Sequence, residues 1–511
     1  MANNGSSVAG YGEELPYKVG LVNYQNKYLT AEKFGFKVNA SGIALKQKQL
    51  WNLELKGDYV VLRSLYKRFL AADKNGNVTC DSEEPGSDAE FVIETQPNGK
   101  WAFKSKAFNY YLGGTADSLR CSSRDCSDDV QWSVQLAIHP QVNLKGVQNN
   151  RYAHLEGGKL KVNEVIPWGS DATITLVYKQ WQEGKPPYHL KASNQKYLDH
   201  CTGDLVDNFG SNTALVLEFF QGHVAFRNED GCYLAASGVR ELKTKGKVKK
   251  APGPDEVFIL EDSAPQGIFH SLAGGKKKLV SHRQGVDVSA ITCDEPEDKE
   301  IFQLEYLAGK WAIRTCEETY WQLKSDGAIH KTGSSRTDPQ CHFDFEYFTD
   351  QSKRHQVIIK AANGKYVGAK PSGHLFAKED SPDANDSTTF CFELINRPIL
   401  VLKNDHGFVA ATKKGDKYEC ARANYDVFKV TYDRNNYAYH LTSEDEQSKW
   451  GIADNGDVIP GVPAAADFTF EFEGQTTFYI RGPSGNYLSG ESNGLFTAKS
   501  NEKGQKTLWE Y

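Results

Sequence analysis

A motif of roughly forty residues recurs twelve times along this 511-residue chain, and any fold proposed for it must be built from that unit. The first copy shows the plan. Residues 21–54 hold a polar turn (Gln25, Asn26), then Lys27-Tyr28-Leu29, a turn marked by Gly35, a short alternating piece (Phe36, Val38), and a closing Trp51-x-Leu53. Alternation and frequent turn residues argue for short strands joined as hairpins, not helices. The aromatic or large apolar anchor returns at Tyr28, Phe69, Tyr111, Tyr152, Tyr197, Tyr233, Leu279, Tyr320, Tyr366, Phe408, Trp450 and Tyr487, at spacings of 36 to 46 residues. The apolar-x-apolar closer begins at Trp51, Phe91, Trp132, Ile174, Leu215, Phe258, Phe302, Phe343, Phe392, Phe428, Phe468 and Trp509. Two independent markers with one count make a chance pattern untenable.

A unit of this size cannot bury its own apolar face, so neighbouring copies must complete the core. Propeller blades and the thirds of a β-trefoil both suit. Six residues before the anchor, the second and third copies of each triplet usually carry a base: Arg63, Lys191, Arg227, Arg314, Lys360 and Arg481, with Lys104 seven before Tyr111 and Glu444 an exception. First copies show Val22, Gly146, Ala273 and Leu402 there, and prolines at 140, 265 and 398 mark the triplet junctions. Twelve blades would also exceed the usual four to eight of a propeller. The expectation is an all-β chain of four tandem β-trefoil domains, at 1–139, 140–264, 265–395 and 396–511. The linkers are short, which implies domains held in fixed orientation.

Net charge is −6, so any basic surface must be local. The first residues lack the basic and apolar regions of a secretory signal, and no apolar run is long enough to span a membrane. Ten scattered cysteines, with only Cys121 and Cys126 close together, read as reduced thiols of a cytosolic protein, not a zinc site. Outside a secretory route the sequons at Asn4, Asn39, Asn77 and Asn385 carry little meaning. No phosphate-cradling glycine motif, nucleophile elbow or His-Glu-x-x-His is present, and the histidines lack metal-ligand spacing; neither an enzyme nor a cofactor is expected. The segment Asp73-Lys-Asn-Gly-Asn77 resembles a calcium loop faintly, but its glycine is misplaced, and a hairpin turn is expected.

Several runs identify a family. KYLTAEKFGFKVNAS (27–41), LAADKNGNVTC (70–80), HPQVNL (139–144), RYAHL (151–155), INRPILVLK (395–403), HGFV (406–409) and LWEY (508–511) resemble fascin, in order and across the chain. The resemblance implies four β-trefoils and a cytoplasmic monomer, enriched in cell protrusions, that cross-links actin filaments into tight parallel bundles. It further implies a filament-binding face shared by the first and fourth domains. There Lys27 and Lys48, near Lys46, are singled out, together with Arg397, Asp405, His406 and Lys413.

Other clusters extend the candidate set. Residues 243–250 contain five lysines, of which Lys245 and Lys247 are singled out. Lys276, Lys277, Lys278 and Arg283 follow, then Lys353, Arg354, Lys360 and Lys365, with Lys278, Arg283, Arg354 and Lys365 in the actin-binding set. For Lys360 and Lys365 a structural role competes, because they belong to the repeat pattern. A solvated hairpin tip is the bland reading of the lysine run. Nucleic acid is disfavoured because no aromatics interleave to stack bases. The sequence departs from fascins at Ala44, where many carry a phosphorylatable hydroxyl, at Asn109 and Tyr110, where some carry paired arginines, and at Ser489, where some carry lysine. A multivalent β-trefoil lectin is the alternative function. It would need aromatic platforms with paired Asp or Asn at one repeat position and a secretory route, and neither is evident.

Overall fold

The computed structural model describes residues 17–116, 118–179, 186–237, 240–275, 278–292, 295–382 and 387–511. Among these there is no α-helix; regular structure is strand and short 3-10 turns. The strands form four successive sets. The first three are twelve-stranded sheets, from Val19–Val22 to Gln131–Leu136, from Gln141–Gly146 to Phe258–Asp262, and from Gln266–Ser271 to Thr389–Leu394. The fourth runs from Ile399–Leu400 to Leu508–Glu510 in three smaller sheets. In each set an early strand pairs with the last: Val19 with Leu136, Ile268 with Glu393, Lys403 with Glu510. This closure gives the all-β, four-trefoil architecture and leaves few open edges.

The two sequence markers turn out to be one device. Anchors start or adjoin the second strand of their copy, and closers fill the barrel. Eleven closers are at most 1% exposed, and Phe392 is 8% exposed, with Phe390 taking the fully buried place two residues earlier. In three copies the closer reaches the residue after its own anchor, as the indole N–H of Trp51, Trp132 and Trp509 donates to the carbonyls of Leu29, Leu112 and Leu488, each at 3.0 Å. Eight closers follow a three-residue 3-10 turn whose last residue is buried, as in Gln47–Gln49 before Trp51 and Pro254–Glu256 before Phe258. That buried side chain often caps its own turn: Glu256 accepts from the Gly253 N–H at 2.6 Å, and Thr213 from the Gly210 N–H at 2.9 Å.

The hairpin caps join copies within a trefoil. In the third, bridges run Asp287 to His330, Ser289 to His374 and Ala328 to Phe376, linking all three copies. Gly373 has φ +93°, and a Cβ there would lie 2.7 Å from the Ala290 carbonyl, so glycine is required at this crossing. Asp73 closes a hairpin turn, as expected, by accepting from the Asn75 and Asn77 N–H groups at 2.8 Å.

The chain divides into two compact units, one ending at Glu261 and the other beginning at Asp262, with Trp168–Ser170 belonging to the second. Within the first, one continuous core runs through both trefoils, from Leu21 and Trp51 to Phe226 and Phe258. Within the second, another runs from Phe269 and Trp321 to Trp450 and Tyr511. Aromatic contacts knit the latter, including Phe392 against Phe472 at 5.3 Å between ring centroids.

Candidate functional site

The bases before the anchors are explained by strand register. Arg63, Lys191, Arg227, Arg314, Lys360 and Arg481 each lie directly across the ladder from their anchor, and so does Lys104. First copies follow the same rule at other spacings, because their loops differ in length: Lys145 faces Tyr152, His270 faces Leu279 and Lys403 faces Phe408. The apparent lack of a base in first copies therefore holds only for the first trefoil, where Val22 faces Tyr28. A carboxylate completes most of these groups. Lys104 lies 5.2 Å from the Tyr111 ring centroid and 3.8 Å from Glu94, to which the Tyr111 hydroxyl donates at 2.6 Å. Lys145, Tyr152 and Glu261 repeat this, as do Arg227, Tyr233 and Glu218, and Arg481, Tyr487 and Glu471. These cations are tied into the fold and are not available to a partner.

The twelve singled-out residues fall into two groups. Arg397 is 1% exposed; its guanidinium donates to the Ser263 hydroxyl at 3.0 Å and the Ser263 carbonyl at 3.2 Å and lies over the Tyr511 ring. Burial pulls this guanidinium down to about 10. Arg397 is thus a core residue of the second unit, which corrects the expectation of a surface contact. Arg283 stays exposed at the surface while gripping the fully buried Glu300 through two hydrogen bonds of 2.7 and 2.6 Å. Burial alone would push the Glu300 carboxyl up, but hydrogen bonds from Arg283 and Ser281 outweigh it and hold it below the usual carboxylate range. Arg354 is half-buried and lies 3.7 Å from Asp467.

Lys48, Lys245 and Lys365 are more open but paired, with Glu32 at 2.5 Å, with Asp255 and with Asp380. The hydrogen bond to Glu32 raises the Lys48 ammonium above its ordinary value. Asp405 is exposed and accepts from Gln505; the His406 N–H donates to Asn404 at 2.9 Å. Among the described residues Lys27, Lys247, Lys278 and Lys413 form no ion pair, and one of them stands in each trefoil. Lys413 sits on the exposed turn between strands Gly407–Ala411 and Tyr418–Arg422. Lys276, Lys277 and the Asn385 sequon lie outside the described residues, as does Asn4.

Sequence reasoning missed an apolar component. Phe34 is 85% exposed and Ile43 71%, both on the stretch between Lys27 and Lys48, with Tyr24, Phe36 and Leu65 also exposed nearby in the chain. Large apolar residues at hairpin tips were the available signal. Ala44 is buried, so this position differs from a regulatory hydroxyl in access as well as in chemistry.

Known proteins match this chain along nearly its whole length. The family model described as "Fascin domain" matches residues 25–134, 275–392 and 405–511. The chain is 41% identical to "Fascin" of Strongylocentrotus purpuratus, covering 97% of this chain and 99% of that one. It is 36% identical to "Fascin-2" of Bos taurus, covering 98% and 99%. Among solved structures, "SeviL bound to asialo-GM1 saccharide" covers 24% of this chain and 98% of its own at 13% identity and a TM-score of 0.22. Matched along nearly its whole length and over most of it by the domain model, the chain belongs to the fascin family.

Proposed function

We propose that the chain binds actin filaments and cross-links them into tight parallel bundles, acting as a rigid cytoplasmic monomer with at least two filament-binding faces. Family membership along nearly the full length carries this reading, since fascins are structural actin-bundling proteins and not enzymes. One unpaired lysine site in every trefoil, at Lys27, Lys247, Lys278 and Lys413, supports more than one face. A single core through both trefoils of each unit supports rigidity within the units. No helix among the described residues is long and apolar enough to cross a membrane.

In the proposed mechanism the lysines attract the acidic filament surface, and exposed apolar groups such as Phe34 and Ile43 add area once water is expelled. After one face docks, the second engages at high effective concentration. The lectin alternative lacks support, because the recurring tyrosine–carboxylate pairs are closed on each other and present no open sugar platform. Co-sedimentation with actin filaments tests the proposal. Pelleting at low speed is expected at low salt, and failure to pellet at any speed would reject it.

A further inference from the structure

Nine cysteines are described, none in a disulfide; six are buried, Cys126 and Cys316 are half-buried, and Cys201 is exposed. Cys201 sits on a turn held from below. Asp199 accepts from the Cys201 and Thr202 N–H groups at 2.9 and 3.1 Å, and the His200 carbonyl accepts from the Thr244 N–H at 2.7 Å and the Thr244 hydroxyl at 2.9 Å. The neighbouring His200 ring is 4% exposed, and its Nδ1 faces the Cys201 sulfur at 3.4 Å. Burial lowers the imidazole, so it is neutral near pH 7 and carries one N–H. With the ring proton on Nε2, Nδ1 is left to accept from the thiol.

Cys316 supplies an internal contrast. It too faces an imidazole, His282 Nε2 at 3.7 Å, but the other nitrogen, Nδ1, meets the Lys331 ammonium at 3.3 Å. An ammonium can only donate, so His282 carries its proton on Nε2 and cannot take one from Cys316.

We propose that Cys201 is a modification site, a nucleophilic thiol whose general base is His200 and whose co-reactant is a hydroperoxide. At rest the thiol stays protonated, since burial, Asp199 and Asp230 all push it up; activation comes during attack, by proton transfer to Nδ1. The sulfur attacks the terminal peroxide oxygen, an S–O bond forms and the O–O bond breaks. Sulfur loses two electrons, the peroxide gains them, and the thiol proton passes through His200 to the leaving oxygen. The products are a sulfenic acid and water or an alcohol. The modified atom would sit beside the root of the lysine-rich stretch, because Thr244 is the residue bonded to His200.

The full-length chain is treated with hydrogen peroxide in the presence of dimedone, and separately with N-ethylmaleimide, and each thiol is followed by peptide mass spectrometry. Cys201 is expected to take the dimedone adduct first and to alkylate at least about tenfold faster than Cys316. His200→Gln should slow Cys201 by about tenfold or more while leaving Cys316 unchanged. Should that variant unfold, wild-type alkylation in deuterium oxide replaces it: slowing at Cys201 but not at Cys316 supports the base. A first adduct elsewhere, an unchanged Cys201 rate in folded His200→Gln, or equal isotope behaviour of the two thiols overturns the proposal.

Discussion

The hydroxyls of Tyr188 and Tyr439 do the same work in the two units. Tyr188 accepts from the Leu136 N–H at 2.9 Å and donates to the Val134 carbonyl at 3.0 Å. Tyr439 accepts from the Leu394 N–H at 2.9 Å and donates to the Phe392 carbonyl at 2.5 Å. Each tyrosine thus stitches its trefoil to the last strand of the preceding one. Each also packs against a second tyrosine, Tyr178 at 5.2 Å and Tyr432 at 4.8 Å between centroids. Within each unit, one trefoil docks on the next by the same arrangement.

Replacing either residue by phenylalanine strands a buried N–H and a buried carbonyl. Tyr188→Phe and Tyr439→Phe should each cost about 1–3 kcal/mol. Urea unfolding followed with a probe in each unit should show the loss in the mutated unit.

Arg283 and Lys413 should separate structure from binding. Arg283→Ala removes the cation that grips buried Glu300, which keeps the Glu297 N–H at 3.0 Å, and should destabilise the second unit by about 1–3 kcal/mol. Lys413→Glu should leave the urea midpoint in place and weaken low-speed pelleting of actin. Weakened pelleting by a folded Arg283→Ala variant, with Lys413→Glu silent, would reverse the assignment.

Lys48→Glu is expected to weaken bundling more than folding. Its exposed pair with Glu32 contributes at most about 1 kcal/mol, whereas the reversal places a negative charge on a face proposed to meet an acidic filament. Unchanged pelleting would exclude Lys48 from the face. Wild-type bundling should also fall with added salt, as the Debye length drops below about 10 Å above 0.1 M.

Acid should loosen both units. Burial lowers His189, His282 and His355 each to about 4, from an ordinary value of 6.5. The unfolded chain therefore takes up these protons below pH 6.5 while the fold refuses them until about pH 4, so stability falls across that window. His282 and His355 lie in the second unit, and His189 lies in the first with His200, which burial lowers in the same direction. Glu393 adds a loss at lower pH. Burial opposes its charge, but hydrogen bonds from His270 and Arg434 prevail and hold its carboxyl below 4.5. Stability from this group is present above 4.5 and lost as pH falls through the folded value. Thermal melts from pH 7 to 4.5 should show a decline in both units, and further acid should add the Glu393 loss in the second.

Anchors and closers were legible in the sequence because burial restricts a barrel position to few residue types, as Trp51, Phe258 and Trp509 show. The 3-10 turns were not, since their buried last residue ranges over Gln49, Ala89, Glu256 and Cys341 and has no common chemistry. The rule of a base six before the anchor was a shadow of strand register, blurred by loop length at Lys145 and Lys403. For the candidate site, the sequence located lysines but not their partners. Nothing local distinguishes Lys413, which is open, from Arg397, which is sealed among Ser263 and Tyr511. Pairings such as Arg354 with Asp467 span too much chain to be read in advance.

Because each core is common to two trefoils, a quarter of the chain expressed alone would present to water a broad greasy wall that its neighbour normally hides. Truncations cut near Glu261 should therefore yield tractable fragments, and those cut near His139 or Asn396 should aggregate.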